Sequence, residues 1–252
     1  MKTEQGLEAN RNTYESLYQQ QQAFLRYPAD WLIRFYSIYL KKNRPKGRVL
    51  DYACGSGNNS AFFIEQGYET WGLEVAPSAL PLVRANFESR HFDPALVERF
   101  SIVQPGVARL PFDDSFFDVI FCNEAIHLNP SAEVIRGVCR EFTRCLRPGG
   151  VVAISMMGPA CVYISRYGRP TGEPNVYQVQ VSDPEHKLQG IRELLDPLLF
   201  YIVPNEEELR RLFDMFECLS VGHVDQGLFD LRSTFHWLFF GRKPLPRGVA
   251  SQ

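Results

Sequence analysis

Two acids and two glycines carry most of the chemistry this sequence can offer. Asp51 stands ahead of a glycine-rich run, RVLDYACGSGNNS over 48–60, and Glu74 closes the segment WGLE over 71–74. Gly55 and Gly57 allow a backbone to approach a ligand closely, because no Cβ intervenes and positive φ is tolerated. An acid at the tip of the second strand of a βαβ unit sits beside a ligand's ribose and can accept hydrogen bonds from its two hydroxyls. Asp51 would face a pyrophosphate badly and a cationic amino group well, directly or through water. Ser60 occupies the position where a dinucleotide fingerprint requires its third glycine, which disfavours a nicotinamide oxidoreductase.

To hold these groups together the chain needs a strand, a sharp turn and a helix, and the local pattern supplies them. Val49 and Leu50 end a short apolar run, Gly55 and Gly57 turn the chain, and 61–66 reads as the following helix, stopped by Gly67. Residues 70–73 form a second apolar strand. A helix is expected over 76–87 despite Pro81, a third strand over 99–103, a fourth over 119–122, and a helix over 132–146 with Val134, Val138, Phe142 and Cys145 on one face. The turn 147–150, RPGG, leads into a fifth strand over 151–157. A strand over 200–203, a helix over 206–216 capped by Asn205, and a closing antiparallel pair over 218–224 and 233–240 complete the sheet.

The run containing Asp51, Ala53, Gly55 and Gly57 resembles motif I of class I S-adenosylmethionine-dependent methyltransferases, D-x-G-x-G-x-G, with Ala53 in place of the first glycine. The segment LPF over 110–112, followed by Phe117 and Asp118, and the turn LRPGG over 146–150 resemble the type 11 group of that family. The resemblance implies a seven-stranded, mostly parallel doubly wound α/β sheet with an antiparallel last strand, an N-terminal helical cap and an insertion after strand five. It also implies in-line transfer of the methyl of S-adenosylmethionine to a small-molecule or sugar-derived acceptor, releasing S-adenosylhomocysteine. Such a transfer gains most from proximity and orientation, and needs a base only where the acceptor loses a proton.

By the same resemblance, Asp51 supports the cofactor's amino group, Ala53, Cys54, Gly55, Gly57 and Asn59 form its cradle, and Glu74 with Val75 meets the ribose. Val107 lies beside adenine, since the family's usual adenine-binding acid is replaced by Gly106. Asn123 and Glu124 follow the fourth strand and face the transfer point, and His127 matches a family position where a neutral imidazole could serve as base. Tyr27 is expected to close over the cofactor. Tyr18 belongs to the same cap, on the substrate side. Tyr163, Arg166, Tyr167, Arg169 and Tyr177 in the insertion are candidates to cover the acceptor, arginines meeting an acidic group and tyrosines an apolar or sugar ring. A methyltransferase-like protein that binds the cofactor or a partner without catalysis is the alternative that Ala53 and Gly106 suggest.

These readings divide the chain into a helical cap (1–44), a cofactor-binding core (45–157), a substrate lid (158–199), the C-terminal part of the core sheet (200–243) and a tail (244–252). Within the cap, a helix beginning at Asp30 is expected to bury Trp31, Leu32, Phe35, Ile38 and Tyr39, and the polar residues 1–20 to form a frayed or induced helix. Hydrophobic residues make up 45% and charged residues 22%, with a net charge of -2, which argues for an ordinary globular chain without the basic surplus a nucleic-acid partner would call for. Six cysteines show neither a C-x-x-C pair nor metal-ligand spacing with the five histidines, so no metal site is expected. The polar N-terminus lacks a signal-peptide core, and no apolar run approaches the ~18 residues that span a bilayer. A cytoplasmic protein without a membrane partner is expected, as a monomer or homodimer.

Overall fold

The computed structural model describes residues 3–20, 25–181, 194–228 and 231–246. After a long first helix, α1 (Thr3–Gln19), comes a helical run of α2 (Asp30–Phe35), a π-turn (Tyr36–Leu40) and α3 (Lys41–Asn43). The core then alternates: β1 (Arg48–Tyr52), α4 (Asn58–Glu65), β2 (Glu69–Glu74), α5 (Ala79–Ser89), β3 (Phe100–Ile102), β4 (Phe117–Cys122), α6 (Ala132–Cys145) and β5 (Leu146–Met157). A small antiparallel sheet follows, made of β6 (Gly168–Pro170), β7 (Val176–Val181) and β8 (Leu194–Tyr201), with α7 (Val162–Ser165) leading into it. The chain closes with α8 (Glu206–Leu212), β9 (Glu217–Leu228) and β10 (Leu231–Arg242).

Seven strands form the large sheet in the order β3-β2-β1-β4-β5-β10-β9, and only β10 runs against the others. Every residue of β4 is buried, as a central strand covered on both faces requires. Alternation divides the core in two. Val49, Val119, Phe121, Val151 and Ala153 pack with Trp31, Leu32 and Phe63 on one face, while Leu50, Ile120, Val152 and Ile154 pack with Ile135, Phe142 and Phe213 on the other. The strand order reverses between β1 and β4, and at such a switch point the carboxyl ends of the strands leave a crevice.

Local chemistry moves several expected boundaries. Helix α4 begins at Asn58 rather than 61, because Gly57 takes the left-handed conformation (φ +74°) and opens the helix directly from the loop. Pro81 is the third residue of α5, where the missing N–H had no intrahelical partner to lose. On α6 the buried face is Ile135, Val138, Cys139, Phe142 and Cys145, with Val134 at the N3 position donating to the Ser131 cap and only half-buried. Ile38, expected in the core, is 78% exposed and Leu40 is buried instead. The π-turn carries more residues per turn than an α-helix and so rotates the face after Phe35.

The strand expected over 200–203 differs most. It starts at Leu194 and belongs to the small sheet, with a register shift opposite Val179 to Val181 that accommodates Pro197 on an edge strand. Helix α1, expected to be frayed, is tied down by polar side chains. Asn10 is buried, its Nδ2 donating to the carbonyls of Leu128 (2.7 Å) and Leu199 (2.8 Å) while its Oδ1 accepts from Leu199 N (2.9 Å). Arg11 Nε donates to Val75 O (3.1 Å), and Glu15 accepts from Ser78 N at the start of α5. No helix among the described residues is long and apolar enough to cross a membrane.

Candidate active site

At the carboxyl ends of β1, β2 and β4 the chain encloses a cavity of about 190 Å³. Its floor is the loop after β1. Ala53, Gly55 and Gly57 all have positive φ (+58°, +52° and +74°), a sequence of left-handed residues that bends the chain back under the cavity. For Ala53 this conformation is strained by roughly 1–2 kcal/mol relative to glycine. Gly55 faces α1 so closely that a Cβ there would lie 2.9 Å from the Tyr18 hydroxyl. Cys54 and Asn59 also line the cavity, whereas Gly57 shapes the loop from behind, against Val83 and Phe87.

Glu74 ends β2 in the cavity wall with its carboxylate buried. Oε2 accepts from Gly55 N (3.0 Å), and Oε1 from Val75 N (2.6 Å) and Ala76 N (3.3 Å), so the acid ties the loop after β1 to the turn after β2. Burial pushes its carboxyl above the usual range, opposed by those amide donors. A carboxylate oxygen has lone pairs for more than one donor, and Oε2 receives one backbone amide. Asp51 lies one layer deeper. It lines neither of the cavities described here, and its Oδ2 accepts from Ser60 Oγ (2.5 Å). Burial pushes its carboxyl up to about 7, against the Ser60 hydroxyl, with Glu74 adding to the rise.

The other expected cofactor residues are partly gathered here. Val75, Asn123 and Glu124 line the cavity; Val107 does not, being packed into the core beside it, and Val103, Pro105 and Gly106 form that wall. Tyr18 covers the cavity from α1. Tyr27 is 78% exposed and lines only a neighbouring cavity, because the segment carrying it is held away by its backbone: Tyr27 O accepts from Asn58 Nδ2 and Ala29 N donates to Asn59 Oδ1. In the insertion, Tyr163, Tyr167 and Tyr177 pack against the apolar cluster that also holds Leu17 and Tyr18 of α1, Arg166 lies over the Tyr167 ring, and Arg169 is exposed on β6. None of the five lines either cavity, whereas Leu7, Asn10, Arg11, Tyr14 and Tyr18 of α1 line the first; residues 182–193 of the insertion lie outside the described residues.

That neighbouring cavity, about 340 Å³, shares Leu25, Asn58, Asn123 and Glu124 with the first and is closed by Trp31, Thr234 and His236. Trp31 Nε1 donates to Asn123 Oδ1 (2.8 Å), and Ser155 Oγ accepts from Glu124 N (2.6 Å), which stabilises the left-handed Glu124 (φ +50°). His127, expected to face the transfer point, is buried behind it and lines neither cavity; its ring centre is 5.6 Å from that of His236. Sequence reasoning missed Ser56, Asn58 and Asn10. The first two hold residues 25–27 between the cavities, and only their place in the loop could have marked them.

These walls suit an adenosyl amino acid. The loop glycines leave room against the backbone, a buried acid ends β2, and the switch-point crevice is covered by Leu7, Asn10, Arg11, Tyr14 and Tyr18 of α1. Comparison with known proteins agrees. Residues 50–154 match the family model for a methyltransferase domain of the type 11 group. The chain is 26% identical over 169 residues to the phthiotriol/phenolphthiotriol dimycocerosates methyltransferase of Mycobacterium leprae, covering 66% of this chain and 54% of that protein. It spans about half the length of the curated relatives it matches. Its fold is similar to a SAM-dependent methyltransferase from Methanosarcina mazei (TM-score 0.62, 19% identity, 87% of this chain and 100% of that one). It is also similar to the Burkholderia thailandensis 1,6-didemethyltoxoflavin-N1-methyltransferase, solved with 1,6-didemethyltoxoflavin and S-adenosylhomocysteine bound (TM-score 0.59, 18% identity, 94% of this chain and 88% of that one). Residues 50–154 thus match a methyltransferase domain, set in a sheet whose fold is that of solved S-adenosylmethionine-dependent methyltransferases.

Proposed function

We propose that the chain transfers the methyl group of S-adenosylmethionine to a small-molecule acceptor, with the covered cavity as the cofactor site. The observation that carries this reading is the buried Glu74 carboxylate in the cavity wall, bonded to the Gly55 amide of the loop. The cofactor supplies an activated methyl on a sulfonium. What the chain contributes is position: Glu74 accepts from the ribose hydroxyls, Gly55 lets the methionine portion lie against the backbone, Val103, Pro105 and Gly106 flank adenine, and Asn123 with Glu124 borders the transfer point. Asp51 acts at one remove, holding the loop through Ser60 and giving the site a negative charge beneath the cationic amino group. Tyr18 and Leu25 exclude water from above.

The acceptor class rests on relatives whose names specify a lipid-like phthiotriol substrate in one case and a small heterocycle in another. The test is release of S-adenosylhomocysteine from S-adenosylmethionine, followed chromatographically, across a panel of phenols, hydroxylated lipids, amines and nitrogen heterocycles. Turnover on one class with none on the others supports the reading. Tight cofactor binding with no release on any of them would favour the alternative of binding without catalysis, to which the strained Ala53 lends some support.

A further inference from the structure

The second cavity contains a group that the cofactor reading leaves unused. His236 stands on β10, paired across the sheet with Met157 of β5 and Val224 of β9, and it lines this cavity with its side chain almost wholly buried. Its Nε2 has no hydrogen-bond partner among the described residues. A buried ring nitrogen without a partner is unfavourable, and such atoms are few in folded proteins. The residue that carries this orphan lines a cavity that shares Leu25, Asn58, Asn123 and Glu124 with the proposed cofactor site.

The surroundings define what could satisfy it. Burial holds the imidazole below its ordinary pKa, against the nearby Glu124 charge, so near neutral pH the ring is uncharged and one of its nitrogens accepts. The indole N–H of Trp31 is already committed to Asn123. Glu124 and Asp30 are exposed carboxylates in the lining, and no lysine or arginine lines this cavity among the described residues. An anionic acceptor is therefore disfavoured here, and a neutral or cationic molecule that brings its own O–H or N–H is favoured.

We propose that this second cavity is the acceptor site, and that His236 Nε2 takes the hydrogen bond, and then the proton, of an acceptor hydroxyl or amine. The inference rests on the methyltransferase reading above. In the transfer, a lone pair of the acceptor oxygen or nitrogen forms the new bond to the methyl carbon, and the carbon–sulfur bond breaks with its electron pair passing to sulfur. The acceptor's proton moves to Nε2 and is afterwards lost to water, which restores the neutral imidazole. His127, its ring centre 5.6 Å from that of His236, is buried and lines neither cavity.

The test uses the full chain with ¹⁵N-labelled histidine, saturated with S-adenosylhomocysteine, and titrated by NMR with phenol, catechol, benzylamine and aniline, with benzoate as the anionic control. At least one of the four protic probes should move the His236 Nε2 resonance and bind at least tenfold more weakly to His236→Gln, while benzoate leaves it unmoved and the affinity for S-adenosylhomocysteine stays within twofold. Should His236→Gln fail to fold, Gln226→Trp, on the edge strand β9, fills the same cavity and should abolish probe binding with the homocysteine product still bound. Equal probe affinity in both variants, shifts confined to other residues, or no probe binding at all would overturn the acceptor site while leaving the cofactor reading intact. Failure of S-adenosylhomocysteine itself to bind the wild-type chain would sink the cofactor reading instead.

Discussion

The floor of the first cavity and its cover are built from different materials. In the floor, backbone conformation makes the site: three consecutive alternate residues, Ala53, Gly55 and Gly57, are left-handed, and one acid, Glu74, gathers three backbone amides. In the cover, side chains make it. Helix α1 has little apolar surface, and it is held over the site by Asn10, which reaches Leu199 of β8, and by Arg11 and Glu15, which reach backbone groups of Val75 and Ser78 in the turn between β2 and α5. A backbone-made site restricts residue types, since left-handed φ and close approach exclude most side chains. A polar seat restricts almost nothing locally, because its partners lie 63 to 189 residues away.

If the floor rests on two buried acids, its stability must depend on pH. Asp51 in the folded chain titrates near 7 against an ordinary 3.8, so folding binds a proton between these values. The stability from this group is full below about pH 4 and is lost as pH rises through about 7, by on the order of 4 kcal/mol. Glu74, also raised, acts in the same direction. Urea unfolding of Asp51→Asn should show a markedly flatter decline between pH 4.5 and 8 than the wild type. Superimposable profiles would mean that Asp51 is solvated and that the floor is not the desolvated layer described here.

The cover should fail at Asn10. Replacing it by alanine strands the buried carbonyl and amide of Leu199 and the partly buried carbonyl of Leu128, a loss of about 3 kcal/mol, and α1 should then exchange its amide hydrogens much faster than β4 does. Uniform exchange across both elements in Asn10→Ala would show that α1 and the sheet unfold as one unit. The smallest effect returns to the floor. Ala53→Gly relieves the left-handed strain and should raise stability by about 1 kcal/mol, some 2–4 °C in melting temperature for a domain of this size. A fall would show that the Ala53 methyl contributes more through packing than its conformation takes away.

The same contrast explains what could be read from the sequence. Asp51, Gly55, Gly57 and Glu74 were legible because loop geometry dictates their types, and the buried strands because Val, Ile and Phe alternate between two faces. The cover was legible as a helical cap carrying Tyr18, but its polar anchors were not. Its seat on β8 was hidden by Pro197, which shortens the apparent strand, and by tyrosines that look like ligand contacts but pack into the neighbouring apolar cluster. His236 was invisible for a further reason: within 233–240 it reads as one residue of an edge-region strand, and its importance lies in a cavity formed by α2, β9 and β10 together.

Isothermal titration with S-adenosylhomocysteine, with NAD as control, tests the central claim most directly. The account predicts micromolar binding to the wild-type chain, none of NAD, and an affinity about 5- to 150-fold weaker in Glu74→Ala, the scale of a lost charge-assisted hydrogen-bond pair. Equal affinity in the wild type and a folded Glu74→Ala variant would contradict it, because the acid on which the cavity is read as a nucleoside site would then hold nothing but the loop.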